Sequence, residues 1–303
     1  MGYWKQSSYL LANDPEVLSY LSSDKIVVVD GGSAGKVFEP FDKIKQACYF
    51  FRFEPRDGKG ETESESHYIN GGLWSEPTKK ILHLAKEPTT SSIYPPDEEY
   101  LKNYDDSKGW MPRKTVKCIE VPLISIDNAV SEKLMPKPDF IKLDIHSAEY
   151  EAVLGSRDSM SDCLGFLVET WHSPVHKGQY LHCDIERLLI ESGFSVFAST
   201  VASAWRHQLR GEVSFSDRPQ LIGSEMLFIN SSIDTPKPLK LAIILELFGF
   251  SILAQKVIED NKDVFTNEFY THLISVLSKN RKYRFLMSFF KPGRIISMLK
   301  YKW

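Results

Sequence analysis

The feature that most constrains this chain is the loop Asp30-Gly31-Gly32-Ser33-Ala34-Gly35, set directly after the apolar run Ile26-Val27-Val28-Val29. A second apolar run, Cys48 to Phe53, closes on another acid, Glu54. A strand, a glycine-rich turn and a second strand ending in a carboxylate is how an open α/β sheet grips a nucleoside. Glycine lets the backbone pass close to a ligand, and the second acid can accept hydrogen bonds from both ribose hydroxyls. Asp30 narrows the choice of ligand. A dinucleotide sets two phosphates over the tip of the first strand, where a carboxylate repels them. S-adenosylmethionine carries a sulfonium and an ammonium, which a carboxylate tolerates.

The same pattern returns further along. Phe140-Ile141-Lys142-Leu143 reads as a buried strand ending in Asp144, and Leu164 to Val168 as another ending in Glu169. Strands are also expected at His67–Asn70, Phe194–Ala198 and Met226–Asn230. Helices are expected at Asn13–Leu21 with Pro15 in the first turn, at Ala148–Leu154, and at Cys183–Ser192 before Gly193. Alternating strands and helices with acids at the carboxyl ends imply a doubly wound, Rossmann-like α/β sheet that binds ligands along that edge. Lys36 to Lys45 is only weakly helical, and Asp57 to Ser66 reads as a solvated loop. Strands around Ile81–Leu84 and Val116–Val121 frame a polar excursion long enough to point to function or mobility. Beyond Thr235-Pro236-Lys237-Pro238 the pattern turns helical. The expected organisation is a cofactor domain over 1–234, with an 80–121 insertion near the active site, and a helical C-terminal appendage over 235–303.

With 303 residues and a formal charge of -3, the chain can bury a full core and has no global attraction for a polyanion, so no nucleic acid is expected. Its four cysteines are scattered and form no C-x-x-C pair, which suits a reduced, intracellular setting. The longest apolar stretch, Leu239 to Leu253, is broken by Lys240, Glu246 and Gly249 and is too short to span a bilayer. The first residues lack the apolar core of a signal peptide, and Gln6 misses the myristoylation pattern, so the protein is expected to be cytoplasmic. Residues 281–303 are basic, rich in aromatics and free of acids. Such a segment packs on its own domain or on a second copy, as a homo-oligomer, or lies on an anionic membrane surface.

Four residues gather on the expected ligand edge: Asp144, His146, Glu169 and His172. An alkyl hydroxyl is a poor nucleophile until a base or metal takes its proton, and histidine titrates in the useful range. The favoured arrangement is a histidine base oriented by an acid. A divalent metal such as Mg²⁺, held by Asp144, Glu169 and a histidine, is a further option, because carboxylate oxygens suit it. A zinc site from His172, His176, His182 and Cys183 has irregular spacing, interrupted by Pro174. No G-x-S-x-G elbow or Walker loop points to a hydrolase or kinase.

Several stretches in order make the chain similar to the FkbM family of S-adenosylmethionine-dependent methyltransferases. They are Val29 to Gly35, Phe53-Glu54-Pro55, Ile69 to Leu73, Ser91 to Pro95, Asp139 to Asp144 with Ala148-Glu149, Val168-Glu169, Gly193-Phe194 and Glu225 to Phe228. The resemblance spans Ile26 to Asn230. It implies that Asp30, Gly31, Gly32, Ser33 and Gly35 hold the methionine end, Glu54 the ribose, and Asn70, Gly72 and Leu73 the adenine side. It also implies O-methylation of a hydroxyl, on a sugar of a surface glycan or on a secondary metabolite. Thr89 to Ser92 resembles a family stretch near the active site. The chain departs from the pattern in three places: the third glycine of the loop comes one position earlier than in most members, with Ser33-Ala34 for a usual Ala-Asn; His146-Ser147 stands where the family carries Gln or Glu and then Gly; and His176 stands where a tyrosine is expected. A catalytically silent relative that binds the cofactor or a glycan is the rival reading. A nicotinamide-dependent oxidoreductase is a further one, though it wants a G-x-G-x-x-G loop without Asp30.

Overall fold

The β-branched run at 26–29 is buried along its whole length, as a central parallel strand requires. The computed structural model describes residues 9–33, 35–56, 66–230 and 236–289, with side chains up to 279. Its strands are β1 (Ile26–Gly31), β2 (Cys48–Glu54), β3 (Ser66–Asn70), β4 (Gly72–Leu73), β5 (Thr78–Ala85), β6 (Thr115–Ile124), β7 (Phe140–Leu143), β8 (Gly165–Trp171), β9 (Phe194–Trp205), β10 (Gln208–Leu209), β11 (Glu212–Val213) and β12 (Gln220–Asn230). Its α-helices are α1 (Leu10–Asn13), α2 (Pro15–Leu21), α3 (Glu98–Leu101), α4 (Trp110–Arg113), α5 (Ile126–Ser131), α6 (Glu149–Leu154), α7 (His182–Glu191), α8 (Pro238–Leu247), α9 (Ser251–Asp260) and α10 (Asn267–Phe289). The chain divides into two compact units.

The larger unit, drawn from 26–37 and 48–232, is built on a seven-stranded sheet in the order β3-β2-β1-β7-β8-β12-β9. β12 runs antiparallel to both its neighbours, while the strands from β3 to β8 pair in parallel. From β1 the chain winds one way through β2 and β3, then returns to β1's other side with β7. That reversal opens a crevice beyond the carboxyl ends of β1 and β7, where doubly wound sheets bind ligands. Alternate residues Val27 and Val29, Phe51 and Phe53, Ile141 and Leu143, and Phe166 and Val168 share one core cluster with residues of α5, α6 and α7.

The 80–121 excursion has its own sheet, β4-β6-β5, with β5 and β6 antiparallel. Three strands are longer than their apolar runs announce. β8 continues past Glu169 to Trp171, so Glu169 does not end its strand. β9 and β12 pair almost end to end, well beyond the stretches 194–198 and 226–230 expected from the sequence, although most β9 side chains are exposed or half-buried.

The smaller unit takes its described residues from 9–25, 38–47 and 236–289, which corrects the single cut expected at 234/235. Helix α8 is buried on every side, and its two charges explain the grouping. Glu246 accepts hydrogen bonds from the backbone N–H groups of Leu10 (3.1 Å) and Leu11 (2.9 Å). Lys240 donates to Asp24 (2.6 Å) and to the Lys25 carbonyl (3.1 Å). Asp14 caps α2 through the N–H groups of Glu16 and Val17, with Pro15 opening the helix as expected. Among the described residues no helix is long and apolar enough to cross a membrane. Of the solvated loop expected over 57–66, Ser66 instead opens β3, and residues 57–65 lie outside the described residues, as do the side chains of the basic segment 281–303.

Candidate functional site

A cavity of about 380 Å³ opens at the carboxyl edge of the larger unit. Gly32, Glu54, Gly72, Leu73, Asp144, His146 and Glu169 line it, joined by Leu82, Pro88, Thr89, Ser91 and Ile93 from the excursion.

The glycine turn is fixed by close approach. At Gly32 φ is +79°, and a Cβ there would lie 1.8 Å from the Asp144 carbonyl oxygen. Only glycine fits. A Cβ on Gly31 would meet Leu73 at 2.9 Å. Ser33 is buried and donates its hydroxyl to the Phe53 carbonyl (3.3 Å). Arg52, fully buried in β2, gathers the turn from beneath: Nη2 donates to the carbonyls of Ser33 (3.0 Å) and Gly35 (2.7 Å).

Asp30 is buried below this turn and is not among the cavity-lining residues. Its carboxylate lies between Arg52 Nε (3.3 Å) and Lys142 Nζ (3.2 Å). Lys142 also donates to the Gly31 carbonyl (3.2 Å) and stands 3.7 Å from Asp144. Burial alone would lower the Lys142 pKa, but the charges of Asp30 and Asp144 overcome it and raise it, so the ammonium stays charged. Asp30 is therefore the anchor of a buried charge network under the site. Asn70 ends β3 exposed and does not line the cavity, whereas Gly72 and Leu73 do.

Glu54 is buried at the cavity wall, and Arg56 engages both of its oxygens, Nε to Oε1 at 2.7 Å and Nη2 to Oε2 at 2.8 Å.

Asp144, His146 and Glu169 come together, with one ligand atom from each lying within 4.8 Å of the others. His146 Nδ1 stands 3.6 Å from Asp144 Oδ1 and 3.4 Å from Glu169 Oε2. Against the desolvation that would raise it, Lys142 and then His146 hold the Asp144 carboxyl well below its ordinary range. Glu169 moves the opposite way: burial, then the charges of Asp144 and Glu149, push it well above. The two carboxyl groups flanking the imidazole are thus driven apart, Asp144 toward its charged form and Glu169 toward its protonated one.

The turn that carries His146 is strained. His146 and Ser147 both have positive φ, 52° and 87°, which L-residues adopt at a cost. Four contacts hold it there. Glu149 accepts from the N–H groups of Ile145 and Ser147, both at 2.9 Å. Ser92 donates to the His146 carbonyl, and the Ser147 hydroxyl bonds His176 Nδ1 (2.7 Å). Burial, then the nearby His146 and Arg113, press His176 well below its ordinary pKa, so it is neutral.

His172 is not part of the cluster. β8 runs on to Trp171, so side chains alternate past Glu169, and His172 falls on the opposite face. There it bonds Ser224 (2.8 Å) and lies with its ring 4.5 Å from that of His182. Among the described residues no zinc-like cluster forms from His172, His176, His182 and Cys183. Arg52, Arg56 and Lys142 escaped the sequence reading; a lysine and an arginine inside apolar runs were the available signal for the buried network.

The model of the methyltransferase FkbM domain matches residues 11–196. Among solved structures, the chain is similar to methyltransferase FkbM from Methylobacillus flagellatus KT (13% identity, TM-score 0.36, covering 68% of this chain and 44% of that one). The chain thus spans less than half of that protein's length. It is also similar to magnesium protoporphyrin IX methyltransferase from Synechocystis PCC 6803 with bound SAM (13% identity, TM-score 0.27, covering 71% and 77%). The same enzyme with bound SAH gives 10% identity, a TM-score of 0.29 and coverage of 71% and 81%. No curated protein matches the chain.

Proposed function

This chain belongs to the methyltransferase FkbM domain family, and from that premise we propose that it methylates a hydroxyl group with S-adenosylmethionine as donor. The carrying observation is the Asp144–His146–Glu169 cluster, set in the same cavity as the Gly32 turn and Glu54. The glycine turn fits the cofactor, since Gly32 presents bare backbone to the cavity and lets a ligand approach it closely. When bound, S-adenosylmethionine supplies a methyl group on a sulfonium, which leaves as the neutral thioether.

The protein's own residues do the rest. Glu54 accepts the ribose hydroxyls, and the glycine turn lies along the methionine end. Gly72 and Leu73 flank the adenine. His146 would take the proton of the acceptor hydroxyl, and the ionised Asp144 would stabilise the imidazolium that results. Glu169, kept as the acid, donates a hydrogen bond rather than repelling Asp144. The cavity walls would position the acceptor hydroxyl for transfer, the part of the rate that does not need a base. The acceptor class, a sugar hydroxyl of a glycan or secondary metabolite, follows from the family resemblance.

One observation favours a second reading. The Asp144, His146 and Glu169 ligand atoms lie close enough to hold a divalent cation, which would lower the pKa of an acceptor hydroxyl as a Lewis acid. The Lys142 ammonium stands 3.7 Å from Asp144, and Glu169 is pushed toward its protonated form, so the histidine base is preferred.

The test is transfer of a labelled methyl group from S-adenosylmethionine to a panel of sugars and glycans. His146→Asn is expected to lower turnover by about 10²–10⁴-fold while leaving S-adenosylhomocysteine affinity intact. Unchanged turnover would remove His146 as the base, and turnover lost to a chelator and restored by Mg²⁺ would favour the metal.

A further inference from the structure

We propose that Arg56 is an internal ligand of the nucleoside subsite, holding the Glu54 carboxylate that a ribose diol must claim, so that the cofactor binds by displacing it. The inference rests on the nucleoside reading of Glu54 given above. Glu54 is 6% exposed and Arg56 23%, and both line the cavity. The guanidinium forks onto both oxygens, Nε to Oε1 (2.7 Å) and Nη2 to Oε2 (2.8 Å). The Arg56 backbone N–H also donates to Oε1 (3.0 Å). An ionised carboxylate offers about four acceptor positions, so these three bonds leave one. Two ribose hydroxyls need two.

Releasing the fork resolves the count. It leaves about three positions open while the backbone N–H of Arg56 still aims the carboxylate, enough for both hydroxyls of the diol. The released guanidinium has a partner at hand, because its Nη1 already donates to the Pro88 carbonyl (2.6 Å) on the excursion. Arg56 thereby lowers the apparent affinity of the subsite by the fraction of molecules in which the fork is open. A lysine at this position could hold one oxygen but not both.

Titration calorimetry of the full chain with S-adenosylhomocysteine tests this, using wild type, Arg56→Ala, Arg56→Lys and Glu54→Ala. The expected result is binding to wild type, affinity about fivefold tighter for Arg56→Ala, an intermediate value for Arg56→Lys, and loss for Glu54→Ala. Melting curves check that each variant is folded. If only Arg56→Lys folds, tighter binding by it than by wild type supports the proposal, and equal or weaker binding overturns it. Equal or weaker binding by Arg56→Ala, with wild type and Glu54→Ala behaving as expected, overturns the role of Arg56 and leaves the nucleoside reading standing. No binding by any variant overturns both.

Discussion

Gly32 is the residue at which this site tolerates no side chain. Its φ of +79° and the Asp144 carbonyl oxygen, 1.8 Å from where a Cβ would stand, act together, one through strain and one through contact. Gly32→Ala is expected to cost at least about 2 kcal/mol in denaturant unfolding and to abolish S-adenosylhomocysteine binding. A stable, binding-competent variant would show that the turn can move away from β7. Among the histidines, the decisive fact is parity. His146 sits in the strained turn beyond β7, whereas His172 stands an odd number of residues from Glu169 and so leaves the cavity. His172→Ala is therefore expected to change turnover less than about threefold, by measurement in parallel with His146→Asn.

At the scale of the elements, β1, β2 and β7 were legible because each is a short apolar run that ends in an acid, and the fold places those ends at one edge. β9 was legible only in its first part, Phe194–Ala198, and β12 only in its second, Met226–Asn230; the rest of β9 is largely exposed or half-buried, and these halves are joined by backbone pairing that leaves no apolar trace. The site divides the same way. Gly32, Glu54, Asp144, His146 and Glu169 could be read from loop and strand-end positions, but which of them share a cavity depended on where β8 stops. The charges inside β2 and β7 were invisible as function because a cation in an apolar run gives no local clue to what it pairs with. Arg52 and Lys142 meet at Asp30, from a neighbouring strand. Arg52→Met strands the Ser33 and Gly35 carbonyls and half of the Asp30 pairing, so it is expected to lose about 3–5 kcal/mol of stability. A loss below about 1 kcal/mol in denaturant titration would show that the network is dispensable.

For the molecule as a whole, buried titratable groups set a pH window. Burial raises the Glu149 carboxyl from its ordinary 4.5 to about 8, despite the backbone N–H groups of Glu149, Ile145 and Ser147 that favour its charged form. The folded protein thus holds a proton there that the unfolded chain has released, and stability falls as pH rises from about 4.5 to about 8. Glu169 contributes with the same sign. His176 acts on the other side: kept neutral by burial, it loses stability as pH falls below its ordinary 6.5, where the unfolded chain takes up the proton. The melting temperature is expected to drop between pH 6.5 and 8, and to drop less in Glu149→Gln. An equally steep decline in that variant would place the effect elsewhere.

The account rests on one claim, that the carboxyl edge of the sheet binds S-adenosylmethionine through Glu54 and the glycine turn. Calorimetric titration of the purified chain with S-adenosylmethionine, S-adenosylhomocysteine and NADH, repeated on Glu54→Ala, tests it most directly. The prediction is binding of the sulfonium compound and its thioether product but not of NADH, with both lost in the variant. Binding of NADH, or undiminished binding by Glu54→Ala, would contradict it.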